Sequence, residues 1–212
     1  MADTRTLHLH PDNPQSRLLR QAAQVIAEGG VIAAPTDAST ALLWRLGERE
    51  PLERVRRLRG LDDRHLMTLI CRDLSQLSLY AAITTRQFRF LKEWAPGPYT
   101  FVLPASREVP KRLLHPSRRT LGLRVPDSVL LRGLLDALGE PLLGTTLQLP
   151  GDELPLADSE QIADRLAGRI ELILACGPGG TEPTTVIDLT GEDPVVTRIG
   201  RGSVEAMLGR RA

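Results

Sequence analysis

Short apolar runs, cut by glycine and proline before they could become helices, alternate along this chain with amphipathic helical patterns. That alternation is the strongest constraint on its fold. Residues 17–28 carry Leu18, Leu19, Ala22, Val25 and Ile26 at helical spacing and end at Gly29-Gly30. The run Val31-Ile32-Ala33-Ala34 follows at once; it is too short for a helix and reads as a buried strand. Further strands are expected over residues 40–46, 66–71, 99–103, 120–125, 142–147, 171–175, 184–189 and 194–198. Helices are expected over residues 52–58, 73–80, 85–94, 129–138 and 159–166. Elements interleaved in this order predict a large twisted mixed β-sheet with helices on its faces, an α/β or α+β chain, rather than separate helical and sheet regions.

A length of 212 residues is ample for a sizeable core, and no linker, repeat or low-complexity stretch divides it. Residues 1–212 are therefore read as a single domain, with a core over about 14–204. The formal net charge is +1, so no global field commits the chain to nucleic acid or a membrane surface. Aromatic residues make up 3%, which disfavours a stacking platform for single strands. Cys71 and Cys176 match no zinc or redox spacing. No signal peptide and no bilayer-length apolar run is seen, so a soluble cytoplasmic protein is expected.

Several chemistries are missing from the sequence. There is no GxxxxGK phosphate loop, no HExxH and no GxSxG. Gly177-Pro178-Gly179-Gly180 lacks the last glycine of a dinucleotide fingerprint and reads as a turn. His8 and His10 would share one strand face, but no third ligand accompanies them, so a solvated or edge-strand pair is expected. With no nucleophile–base pair and no metal ligand set, charge stabilisation and positioning are the chemistry left.

Candidate residues for that chemistry lie far apart in sequence. Thr36 and Asp37 follow Pro35 at the end of the first buried strand, either as part of a ligand site at a sheet edge or as a turn. Arg57 and Arg59 flank one residue where a helix runs into Gly60; they would aim at one phosphate or form a solvated face. Arg124 sits in the apolar run Leu121-Gly122-Leu123-Arg124-Val125. A buried guanidinium there needs either a ligand anion or an internal acid. Arg198 leads into the glycine turn Ile199-Gly200-Arg201-Gly202, again suited to an anion.

Taken together, these pieces resemble the YrdC/YciO family, which includes the threonylcarbamoyl-AMP synthases. The matching series runs Pro35-Thr36-Asp37, Arg57-x-Arg59, Pro96-Gly97-Pro98-Tyr99-Thr100-Phe101-Val102-Leu103-Pro104 and Leu123-Arg124-Val125-Pro126. It continues through Thr146-Leu147-Gln148-Leu149-Pro150-Gly151 and Thr184-Thr185-Val186-Ile187-Asp188-Leu189 to Arg198-Ile199-Gly200-Arg201-Gly202. His10-Pro11-Asp12-Asn13-Pro14 and Thr68-Leu69-Ile70-Cys71-Arg72-Asp73-Leu74 look like the YciO branch in particular. The series covers nearly the whole chain, and the additional carboxyl-terminal domain of longer members is not expected.

The resemblance implies a twisted sheet whose concave face holds ATP and an amino acid. It also implies conversion of threonine, bicarbonate and ATP into threonylcarbamoyl-AMP and pyrophosphate, which serves a transfer-RNA modification. Thr36, Asp37, Arg124 and Thr146 would then face the amino acid. Arg57, Arg59, Thr146, Gln148 and Arg198 would face the nucleotide, with Mg²⁺ carried chiefly by phosphates and water. Four positions depart from the synthase pattern. Arg57 replaces lysine, Thr146-x-Gln148 replaces Ser-x-Asn, Ala38-Ser39-Thr40 lacks an aromatic residue, and Cys71 lies where a histidine is usual. Departures around one pocket imply a weakened or altered synthase. The alternative implied by the family is a double-stranded RNA-binding protein without synthase activity.

Overall fold

In the computed structural model, residues 3–62, 65–114 and 117–205 are described. Ten strands form one sheet among them: β1 (Arg5–His8), β2 (Ile32–Ala34), β3 (Ala41–Arg45), β4 (Thr68–Ile70), β5 (Tyr99–Pro104), β6 (Thr120–Arg124), β7 (Leu142–Thr146), β8 (Leu172–Ala175), β9 (Thr185–Asp188) and β10 (Val195–Arg198). The helices are α1 (Ser16–Ala27), α2 (Arg49–Arg59), α3 (Leu74–Tyr80), α4 (Thr85–Trp94), α5 (Val129–Leu138) and α6 (Ser159–Leu166). The interleaved mixed α/β architecture expected from the sequence is the one observed.

Local chemistry explains where the helices begin and end. Asp73, Ser128 and Asp158 each place a side-chain oxygen on N–H groups of the first turn of α3, α5 and α6. Thr84 and Gln87 form a reciprocal capping box on α4. Gly60 and Gly139 terminate α2 and α5 at φ 63° and 78°, a left-handed conformation that a Cβ would penalise.

The strand order is β1-β8-β2-β3-β7-β4-β6-β5-β9-β10, with parallel and antiparallel pairings mixed. β1 adds to the edge in parallel with β8, so the edge strand that was one expectation for His8 is present. His8 lies on this edge strand, whereas His10 has left it, its Nδ1 accepting the N–H groups of Asp12 and Asn13. The two histidines do not form a ligand pair.

Each face of the sheet carries its own core. One contains Trp44, Leu69, Phe101, Leu103, Leu123 and Leu143 with the buried residues of α2, α3, α4 and α6. On the other, Leu19, Ala22 and Ile26 of α1 and Leu131, Leu134 and Leu135 of α5 pack on Ile32, Leu43, Leu142 and Leu172. α1 and α5 cover only the β1-to-β7 half of that second face.

The register shows why the cover stops there. Partners across a sheet share a face, and one row runs Leu172–Ile32–Leu43–Gly144–Thr68–Gly122–Val102–Asp188. Its first three residues are large and apolar. The next three are glycine, threonine and glycine, which offer a helix little to pack on. The neighbouring row makes the same transition, from Leu142 through Ile70 to Arg124.

Candidate functional site

Those small residues floor a cavity of about 430 Å³, within the roughly 300–1,000 Å³ common for small-molecule sites. Thr68, Gly122, Gly144, Thr100 and Val102 contribute from the sheet. Gly122 keeps the floor low, because a Cβ built there would lie 3.1 Å from Thr100 Cγ2 and 3.4 Å from Thr68 Oγ1. Ser39 and Thr146 line one end, joined by a 3.3 Å hydroxyl hydrogen bond.

Three guanidinium groups reach this cavity from separate parts of the chain: Arg59, Arg124 and Arg198. Arg59, the last residue of α2, donates from Nε to the Gln148 carbonyl at 3.1 Å and from Nη1 to Thr145 Oγ1 at 2.5 Å. Arg198, the last residue of β10, donates to the Thr184 carbonyl from Nε and Nη2 at 3.1 and 2.8 Å. Its Nη2 also reaches Thr184 Oγ1, which is bonded in turn to Thr100 Oγ1 at 2.8 Å. The turn after Arg198 is held by close packing, since a Cβ on Gly200 or Gly202 would collide with Pro183 or the Tyr99 ring.

Arg59 and Arg198 have neutral partners only; no acid pairs with either among the described residues. Burial lowers the pKa of both, and the Arg198 charge lowers that of Arg59 further. Guanidinium groups start so high that both stay charged at neutral pH. The cavity therefore holds two adjacent cations that no acid among the described residues balances.

Arg124 differs. It is 5% exposed and pairs through Nη2 with Asp37 Oδ1. Asp37 Oδ2 also accepts the Asp127 N–H at 3.0 Å. The internal acid, one of the two partners open from sequence, is thus present. Burial lowers the pKa of Arg124 and Asp37 partly offsets this. One donor, the buried Arg124 Nε, has no hydrogen-bond partner.

The sequence candidates divide accordingly. Arg59, Arg124, Thr146, Gln148 and Arg198 are brought to one cavity. Thr36 and Asp37 do not line it. Thr36 Oγ1 accepts the Ala38 N–H and donates to the Ser39 carbonyl, closing a turn behind Arg124. Arg57 corrects the expectation that it and Arg59 aim at one phosphate: it is exposed and lines no part of the cavity. Both belong to α2, and helix residues two apart do not face the same side. Gln148 lines the cavity, but its amide donates to the Asp152 and Glu153 carbonyls and so secures the following loop.

The remaining departures lie in the core. Thr40 is buried, and Cys71 is a free, fully buried thiol whose pKa burial pushes up. Several lining residues were not singled out from sequence, namely Ser39, His65, Thr68, Thr100 and Thr184. For Thr68 and Thr100 the signal was a small polar residue at the parity of Arg124 within an otherwise apolar strand, but parity between strands needs the register; Ser39, His65 and Thr184 lie outside the strands and carried no such signal. Among the described residues no three His, Cys, Asp or Glu side chains gather as a metal site, and no helix is long and apolar enough to cross a membrane.

Comparison with known proteins matches this geometry to a family. Over 201 residues the chain is 48% identical to the YciO protein of Escherichia coli (strain K12), covering 95% of this chain and 98% of that one. The crystal structure of E. coli YciO superposes with a TM-score of 0.91, over the same shares of the two chains. A threonylcarbamoyl-AMP synthase of Vibrio vulnificus (strain YJ016) is 31% identical over 160 residues, which are 74% of this chain and 84% of the synthase. The P. abyssi Sua5 structure complexed with L-threonine is 25% identical, with a TM-score of 0.88 over 97% of this chain and 60% of Sua5. A family model described as telomere recombination, that of Sua5, YciO and YrdC, matches residues 24–200. An open sheet face with cations gathered from α2, β6 and β10 is thus the form taken here by a member of the Sua5/YciO/YrdC family, to which this chain belongs.

Proposed function

We propose that this protein binds ATP and an amino acid in the cavity and joins them through bicarbonate, as a threonylcarbamoyl-AMP synthase does. The observation that carries the reading is the pair of acid-free guanidinium groups, Arg59 and Arg198, beside a floor of glycine and threonine. A polyphosphate supplies the negative charge this pair lacks. Relatives named as threonylcarbamoyl-AMP synthases and a Sua5 complexed with L-threonine support the choice of reaction and amino acid.

In this reading Arg124, which lines the cavity, receives the amino acid carboxylate, with Asp37 holding the guanidinium in place. The amino group adds to bicarbonate-derived carbon, losing water and forming a carbamate. A carbamate oxygen then attacks the α-phosphorus, the bond from that phosphorus to the bridging oxygen breaks, and pyrophosphate leaves. Arg59 and Arg198 offset the charge on the phosphates, already oriented by Thr145, Gln148 and Thr184. Asp37, the carboxylate beside the cavity, is committed to Arg124 and the Asp127 N–H. The residues therefore do not fit a protein-held Mg²⁺; the ion would enter on the nucleotide phosphates.

Threonine- and bicarbonate-dependent release of pyrophosphate from ATP is the direct test. Arg59→Ala is expected to cut the rate by about 10²-fold or more, the usual cost of losing one charge-stabilising donor. A wild-type protein that neither binds ATP nor releases pyrophosphate would end the proposal.

A further inference from the structure

An imidazole ring stands on the lining of the same cavity. His65 lines it together with Arg59 and Arg198. Its backbone is fixed by Asp62, whose carboxylate Oδ1 and carbonyl accept the His65 N–H at 3.1 and 3.3 Å. The ring itself makes no hydrogen bond with any described residue. The charges acting on it are Arg59, Arg198 and Arg56, opposed by Asp62. An exposed imidazole on the cavity lining, under the influence of three guanidinium groups, is placed for an anion.

We propose that His65 is a third ligand to the phosphates bound by Arg59 and Arg198, and that its ring takes up a proton from bulk solvent as the anion enters. This rests on the nucleotide reading above and adds to it a ligand and a pH dependence. Burial, then Arg59, with smaller contributions from Arg198 and Arg56, lowers the His65 pKa below its ordinary value, while Asp62 raises it in part. The free ring is therefore neutral at neutral pH. A bound polyphosphate reverses the sign of the local field and raises that pKa. Binding then draws in protons, and affinity rises as pH falls through the window between the free and bound values.

The probe is ATP, titrated calorimetrically into the full chain in buffers of different ionisation enthalpy, so that protons taken up per site are measured. His65→Gln is expected to bind ATP about fivefold more weakly than wild type at about pH 6 and nearly equally at about pH 8, with less proton uptake. Comparing the variant with wild type cancels the protonation of ATP itself. His65→Lys, which carries a fixed charge, is expected to keep the tighter affinity at both pH values. If His65→Gln retains the wild-type proton uptake and pH slope, the role of His65 is refuted while Arg59 and Arg198 keep theirs. If wild type binds no ATP at either pH, the nucleotide reading fails first and this inference falls with it.

Discussion

The two halves of one sheet face carry the same alternation of side chains and become opposite things. From β8 to β3 the row is Leu172, Ile32 and Leu43, and α1 and α5 lie on it as core. From β7 to β6 it is Gly144, Thr68 and Gly122, and the face stays open as a cavity. Side-chain volume separates them, since a helix is held on a sheet by the apolar area it buries. The site is the part of a core face whose bulk was withheld, and guanidinium groups approach from its edges.

The contrast breaks first at Arg124, the charged residue that shares a row with Leu142 and Ile70. Arg124→Met leaves the partly buried Asp37 without its cation and is expected to cost about 3–5 kcal/mol in urea unfolding. The double variant with Asp37→Asn should recover much of that loss. Recovery would mark the pair as a local device rather than a strut of the whole sheet. Next is Leu43, fully buried under α1 and α5. Leu43→Ala is expected to lose about 2–5 kcal/mol and to leave ATP binding near wild type.

Gly144 tests the boundary between the halves. A Cβ there would stand 2.7 Å from Ile70 Cδ1 and 2.9 Å from Leu43 Cδ2. Gly144→Ala should therefore destabilise by about 1–3 kcal/mol through overpacking. Gly122→Ala is the gentlest change to stability, at about 1 kcal/mol, because the added methyl meets Thr100 Cγ2 at 3.1 Å and Thr68 Oγ1 at 3.4 Å, a looser fit than at Gly144. Its expected effect is weaker ATP binding in calorimetry. If Gly122→Ala unfolds the protein as readily as Leu43→Ala, the two halves are not different in kind.

Much of this was legible in the chain. Helices end at Gly60 and Gly139 because those positions need a left-handed backbone, and the strands over residues 120–125 and 142–147 are placed to within a residue at their ends. Arg124 was marked by its apolar surroundings, and burial does force it into a pair. Spacing left Arg57 and Arg59 open between a shared phosphate and a solvated helix face, because the expected helix stopped at residue 58, one short of Arg59. Both residues are still helical, so only Arg59 turns to the cavity. The Gln148 amide could not be assigned, because its partners are carbonyls of a loop whose path depends on tertiary packing.

Sequence alone determined what each segment is, since spacing, caps and turn residues act over a few positions along the backbone. Tertiary structure alone decided which small residues lie in one row, that Asp37 meets Arg124 across 87 positions, and that Arg59 and Arg198 share a cavity with no paired acid among the described residues. Those relations are set by strand register and by the closing of long loops. No window of sequence contains both partners.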